Sequence, residues 1–97
     1  MATYITMINY TPQGVRGFRE TAERADAFTA IAEKAGVKVQ QIYWTIGAHD
    51  GILILDAPDE QTVAGVLLNL ASYGNVHTQT MRAFDRTEID GVIAKAT

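Results

Sequence analysis

His49 and His77 are the only imidazoles of the chain, and Asp50 directly follows His49 in the run Gly47-Ala48-His49-Asp50-Gly51. An imidazole oriented by a carboxylate is a common general base near neutral pH. A phenol or amide close by, here Tyr10 or Asn9, would donate to a developing oxyanion. If the His49 ring meets Asp50, the carboxylate favours the protonated ring, and ligand affinity should change between roughly pH 5 and 8. A plainer role stands beside each of these. An Asp in a turn accepts backbone N–H groups within the hairpin loop, and a loop imidazole sits in solvent. Neighbouring strand residues also point to opposite faces, so a His49–Asp50 pair requires the loop to bend. As metal ligands the three residues lack the spacing of a helical or hairpin set, so no metal is expected. Neither a phosphate-binding glycine loop nor a nucleophile–base motif is found.

The elements that must position these residues follow from periodicity. Ala2 to Tyr10 is rich in β-branched and aromatic residues and reads as a strand. Thr11-Pro12 starts a helix, with a capping hydroxyl before a Pro whose missing N–H costs nothing. Val15, Phe18, Ala22, Ala25, Phe28, Ala32 and Ala35 recur at helical spacing, with Arg16, Arg19, Glu20, Glu23 and Arg24 on the opposite face and a break near Thr21. Gly36 ends this helix. Val37 to Ile46 and Gly51 to Ala57 form a hairpin across Gly47, Asp50 and Gly51. Pro58-Asp59-Glu60 opens a second helix with Val63, Val66, Leu67 and Leu70 on its apolar face, closed by Gly74. Asn75 to Phe84 is the fourth strand. Asp85-Arg86-Thr87-Glu88 fits a capping box before a short helix carrying Ile89, Val92 and Ile93.

The order β-α-β-β-α-β predicts an α+β, ferredoxin-like fold with a four-stranded antiparallel sheet of order 4-1-3-2 and a C-terminal helix. The first and third strands are the most apolar, as central strands should be. Lys38, Gln40 and Gln41 on the second and His77, Gln79 and Arg82 on the fourth suit exposed edges. In this topology the end of the first strand, the hairpin and the start of the fourth strand share one end of the sheet. Asn9, Tyr10, Thr45, His49, Asp50 and His77 gather there. Tyr43 and Trp44 lie on opposite faces of one strand, one under the helices and the other towards a partner or cavity. Thr78 and Thr80 share a face with Arg82 and are placed in the space between two sheets.

Ninety-seven residues make one domain, spanning 1–97, with a core that is adequate but thin. Ile52 to Leu55 is apolar on both alternating faces, although the helices of this topology cover only one. A homodimer through the uncovered sheet faces is therefore expected. A net charge of −3 with mixed signs makes nucleic acid an unexpected partner. No apolar run approaches a membrane span, no basic-then-apolar leader is visible, and there is no cysteine for a disulfide or a thiolate site. A cytoplasmic location is the expectation.

Gly47-Ala48-His49-Asp50 resembles the motif of the GYD-domain family, named for Gly-Tyr-Asp, with one residue inserted and His49 where the name has Tyr. The resemblance extends to Tyr4-Ile5-Thr6, Arg24-Ala25-Asp26-Ala27-Phe28, Asp56-Ala57-Pro58-Asp59, Gly74-Asn75-Val76, Thr78-Gln79-Thr80 and Arg82-Ala83-Phe84. It implies the dimeric α/β-barrel superfamily, in which two such sheets pack face to face. That superfamily includes cofactor-free monooxygenases, haem-degrading enzymes, isomerases and ligand-sensing regulatory domains. Asn9, Trp44 and His77 have the residue types of the haem-degrading members but not a position-by-position match, so no cofactor is expected.

These observations lead to a small-molecule-binding protein, extending to a cofactor-independent enzyme, with a pocket beside residues 47–51. Asn9, Tyr10, Tyr43, Trp44, His49, Asp50 and His77 are its candidate ligand-binding residues, a composition suited to a small apolar or aromatic ligand. The alternative is a non-catalytic stress-related or regulatory assembly module. A hollow end would favour the first, and a filled core with an exposed apolar patch the second.

Overall fold

β1 (Ala2–Tyr10), α1 (Pro12–Arg16), α2 (Thr21–Lys34), β2 (Lys38–Trp44), β3 (Gly51–Ala57), α3 (Glu60–Ser72), β4 (Val76–Ala83) and α4 (Ile89–Lys95) follow one another in a computed structural model that describes residues 1–97. The strands form one antiparallel sheet of order β2-β3-β1-β4, the expected 4-1-3-2 read from the other edge. No helix is long and apolar enough to cross a membrane.

One sheet face carries the core. Tyr4 pairs with Leu55 and Thr6 with Leu53, and all four are buried. Phe28 and Ala32 of α2, and Val63, Val66 and Leu67 of α3, pack on this face with Val37 and Ala57. Their i, i+3 and i+4 spacing puts each set on one side of its helix. Thr6, the one buried polar side chain of the core, exchanges a hydrogen bond with the Thr80 hydroxyl at 2.9 Å. Thr80 thus lies on the helix-covered face, as do Thr78 and Arg82 by register, and not in a space between sheets.

Caps begin the helices where the sequence placed them. The Thr11 hydroxyl accepts from the Gly14 N–H and the Asp59 carboxylate from the Thr62 N–H. The capping box is reciprocal: Glu88 N–H donates to Asp85, and Asp85 N–H to Glu88. The first helix breaks just before Thr21, as expected, but its apolar stripe does not continue through the break. A 3₁₀ turn over Phe18–Glu20 separates α1 from α2, and Val15 and Phe18 are 51% and 53% exposed rather than on the apolar face. The reason is that α1 is fastened to the α3–β4 connection. Thr11 N–H donates to the Asn75 carbonyl, Thr11 Oγ1 to the Gly74 carbonyl, and Gln13 Nε2 to the Tyr73 carbonyl and Asn75 Oδ1. The chain must turn away from this anchor before α2 can cross the sheet.

β2 also differs, stopping at Trp44 and leaving Ile46 fully exposed in the hairpin loop. A bulge between Val39 and Gln41 interrupts its pairing with β3. Gln40 in the bulge donates to the Asp56 carboxylate, which also accepts from Thr3 Oγ1 at 2.9 Å.

Two predictions follow from this packing. A Cβ at Gly14 would lie 1.9 Å from the Asn75 carbonyl oxygen. Gly14→Ala should therefore prise α1 off its anchor, costing about 1–3 kcal/mol in urea unfolding, as overpacking does. The second concerns acid. Hydrogen bonds hold three carboxylates below their ordinary value of 3.8: Asp56 first through Gln40, Asp59 through Thr62, and Asp85 through Thr87. A lowered folded-state pKa gives stability that is complete above the ordinary value and lost as pH falls through the folded one. The melting temperature should accordingly hold from neutrality to about pH 5 and drop below about pH 4.

Candidate functional site

The end of the sheet beside the hairpin is hollow on the helix side. A cavity of about 280 Å³ lies between the sheet and helices α2 and α3. Its walls are mostly apolar: Ile8 and Leu53 from the central strands, Ile42 and Trp44 from β2, Phe28 and Ile31 from α2, and Leu70 from α3. Ala25 and Ala27 of α2 also line it, and their small side chains leave the space open. Among the polar groups are Tyr10, Thr21, Arg24, Asp50 and Asn75.

Backbone hydrogen bonding fixes the hairpin end of this cavity. Asp50 N–H donates to the Ile8 carbonyl at 2.8 Å, and Thr45 N–H donates to the Asp50 carbonyl at 3.0 Å. The Asp50 side chain reaches to β1, where Oδ2 accepts from Tyr10 N–H at 2.8 Å. The backbone donor is thus Tyr10 of β1 and not a residue of the hairpin loop. Gly47 takes φ +116° in the loop, a conformation that L side chains rarely adopt. At the other side, the Tyr10 hydroxyl and the Thr21 hydroxyl hydrogen-bond at 3.2 Å, tying β1 to the start of α2. One turn along α2, Arg24 Nη1 donates to the Gly14 carbonyl at 3.2 Å, and Nη2 lies 3.5 Å from Glu20.

The seven residues singled out from the sequence divide between the two faces of the sheet. Tyr10, Trp44 and Asp50 line the cavity from the helix side, and Tyr43 borders it although its register places it on the uncovered face. Asn9, His49 and His77 belong to the other face. Asn9 is the Cα partner of His77 across β1 and β4, and its Oδ1 is 2.9 Å from His49 Nδ1. Asn9 Nδ2 donates to the Ala48 carbonyl. The imidazole of His49 and the carboxylate of Asp50 are therefore not brought together: the carboxylate is turned to the Tyr10 N–H and the imidazole to Asn9. His49 instead borders a shallower depression of about 220 Å³ on the uncovered face, with Met7, Ile46 and Ile52. No three side chains among His, Asp and Glu converge where a metal ion could sit.

Sequence reasoning missed Thr21, Arg24, Ile31, Ile42, Leu53 and Leu70 as cavity residues and placed Arg24 on the solvent face of its helix. A signal existed: Thr21, Arg24, Ala25 and Phe28 stand at i, i+3, i+4 and i+7, which is one stripe. Within that stripe the two polar residues mark where the apolar face reaches the cavity. Register settles the aromatic pair. Trp44 is opposite Gly51 on the helix side, whereas Tyr43 is opposite Ile52 on the uncovered face and half exposed.

Comparison with known proteins adds three findings. The family model described as GYD domain matches residues 4–93. A protein of Thermus thermophilus called glutamine synthetase and cystathionine beta-lyase binding protein is 33% identical over 84 residues, which are 86% of this chain and 88% of that one. Among solved structures, TTHA0845 from Thermus thermophilus superimposes with a TM-score of 0.57 at 20% identity, covering 88% of this chain and 95% of that one. MtbAldR gives a TM-score of 0.62 at 16% identity over 88% of this chain. The chain spans only 54% of that protein's length. These two structural likenesses support the ferredoxin-like fold alone.

Replacing Asp50 separates its structural task from its charge. Asp50→Ala removes the acceptor from Tyr10 N–H and should cost about 1–3 kcal/mol, the range for leaving a backbone donor unmatched. Asp50→Asn keeps an oxygen at that position and should cost much less. Denaturant unfolding of the two variants checks the difference.

Proposed function

The chain belongs to the GYD-domain family, and from that premise we propose that it is a binding protein, a homodimer that holds a small, largely apolar molecule in the cavity beside its hairpin. The cavity itself carries this reading: about 280 Å³ of space walled by Phe28, Ile42, Trp44, Leu53 and Leu70, close to the lower end of the usual range for ligand sites. Binding rather than turnover is supported by how the polar groups are occupied. The Tyr10 and Thr21 hydroxyls bond to each other, Asp50 holds a backbone N–H, and both imidazoles belong to the opposite face.

The dimer reading rests on that opposite face. Ile5, Met7, Ile52, Ile54, Tyr43 and Met81 share it by register, and no helix covers them. Tyr43 and Met81 are 51% and 47% exposed. A contiguous apolar surface of this kind is what a protein interface uses, and only a second copy presents the same shape and chemistry at equal concentration. Only 13 of 97 residues are buried in the single chain, so covering this face would add substantially to a thin core.

A second reading concerns other proteins. The Thermus relative is named for binding two enzymes, and the outer surface of α3 in this chain exposes Leu68 at 72%, with Tyr73 at 59% just beyond. With the sheet faces paired, this helix surface is one of the apolar areas that stay exposed, and it is the one on a long, regular helix.

The tests are separable. Sedimentation at micromolar concentration should give a dimer, and Ile54→Glu a folded monomer; a monomeric wild type overturns the dimer. The chain has a single tryptophan, Trp44, and it lines the cavity. Cyclohexanol should change its emission saturably, and Ala25→Phe, which fills the space, should abolish that change. An unsaturable response overturns the ligand reading. For the second reading, glutamine synthetase or cystathionine beta-lyase from the same organism should co-elute with the protein, and Leu68→Glu should prevent it.

A further inference from the structure

Arg24 and Asp50, residues of opposite charge, both line one apolar cavity, and the only ion pair that either makes, Arg24 with Glu20, is partly exposed. Asp50 forms no ion pair; its Oδ2 accepts the Tyr10 N–H and its other oxygen takes no hydrogen bond from the protein. Arg24 donates one hydrogen bond, to the Gly14 carbonyl, and its ion pair with Glu20 is long, at 3.5 Å, to a carboxylate that is 69% exposed. Such a pair is screened by water and contributes little.

A ligand entering this cavity removes water from both groups. A neutral apolar molecule would bind on the apolar wall but would leave the second Asp50 oxygen and part of the Arg24 guanidinium without solvent, which weakens it relative to a ligand that answers both. A simple carboxylic acid would answer Arg24 and leave Asp50 stranded, and an amine would do the reverse. A zwitterion answers both. We propose that the cavity binds a free α-amino acid with an apolar side chain, its ammonium on Asp50 and its carboxylate on Arg24. The Tyr10 residue joins the two ends of this arrangement: its N–H is bonded to Asp50, and its hydroxyl to Thr21, one helical turn from Arg24. The apolar side chain of the ligand packs on Phe28, Ile42, Leu53 and Leu70. Free space of about 280 Å³ accommodates a molecule the size of leucine or phenylalanine.

This assignment rests on the ligand-binding reading above, and the test distinguishes the two. The wild-type protein is titrated with L-leucine, isocaproate (which lacks the ammonium), isoamylamine (which lacks the carboxylate) and cyclohexanol, following Trp44 emission and melting temperature. L-Leucine should bind at least tenfold more tightly than any of the other three. Asp50→Asn should weaken L-leucine at least tenfold while leaving isocaproate no weaker, and Arg24→Gln should weaken L-leucine and leave isoamylamine no weaker. Isocaproate or cyclohexanol binding as tightly as L-leucine overturns the amino-acid assignment and leaves the ligand-binding reading standing. No saturable binding by any of the four overturns both. The wild-type comparison decides the matter even if a variant fails to fold.

Discussion

A four-stranded sheet whose central strands are apolar on both faces has only two long helices to cover it, and both pack on the same side. Every other property of the molecule follows from that imbalance. Leu53 and Leu55 of β3 are buried beneath α2 and α3, while Ile52 and Ile54, between and beside them, are only half covered. The β-α-β-β-α-β path allows no alternative, since each crossover returns its helix to the same face. The uncovered side is thus a consequence of topology, and the apolar residues on it are there despite the cost of exposing them. Such residues are kept when something else removes them from water.

On the covered side the helices are held apart at one end, and the Asp50 clamp shapes what lies between them. Three hydrogen bonds run through this residue: its N–H to Ile8, its carbonyl from Thr45 and its carboxylate from Tyr10. Together they seat the hairpin loop against the end of β1. The anchoring of α1 to Gly74 and Asn75 fixes the other boundary, because it determines where α2 begins. The cavity is bounded by rigid backbone contacts at both ends, and the alanines at positions 25 and 27 keep its side open. A site built on strands and on an anchored helix holds its geometry better than one built on free loops.

Much of this was legible in the sequence. Period-two and helical spacing located all four strands and both long helices, and residue chemistry located the cap at Thr11 and the capping box over Asp85 to Glu88. Element order implied the sheet order, and strand polarity agreed with it. The site was only half legible. Gathering Tyr10, Asp50 and the histidines at one end requires topology alone, but sorting them between two faces requires parity. Parity fails at a bulge. Counting alternately from Val39 puts Tyr43 under the helices and Trp44 outside, and the bulge before Gln41 reverses both. The bulge is held by Gln40 on Asp56, a contact between residues that no local pattern links. The exposure of Val15 and Phe18 was hidden for a similar reason. The break near Thr21 was legible, but the apolar spacing runs on through Gly17, and only the distant anchor at Asn75 shows that α1 turns its own apolar residues away from the core.

The two surfaces share a strand, which sets how strongly they can influence one another. Leu53 lines the cavity, and its neighbours Ile52 and Ile54 face the uncovered side of the same sheet. Trp44 and Tyr43 repeat this arrangement on β2. Interiors are close-packed, so a displacement of Leu53 is carried to its strand neighbours rather than absorbed. Coupling in that case is a matter of free energy. A cavity ligand changes assembly only to the extent that it binds the assembled and separate forms with different affinity, and assembly then changes ligand affinity by the same factor. The bulge and the Asp50 clamp flank this shared segment, Val39–Gln41 on one strand and Asp50 at the start of the other. The residues common to the two faces are therefore side chains on adjacent positions, Leu53 between Ile52 and Ile54, and Trp44 beside Tyr43.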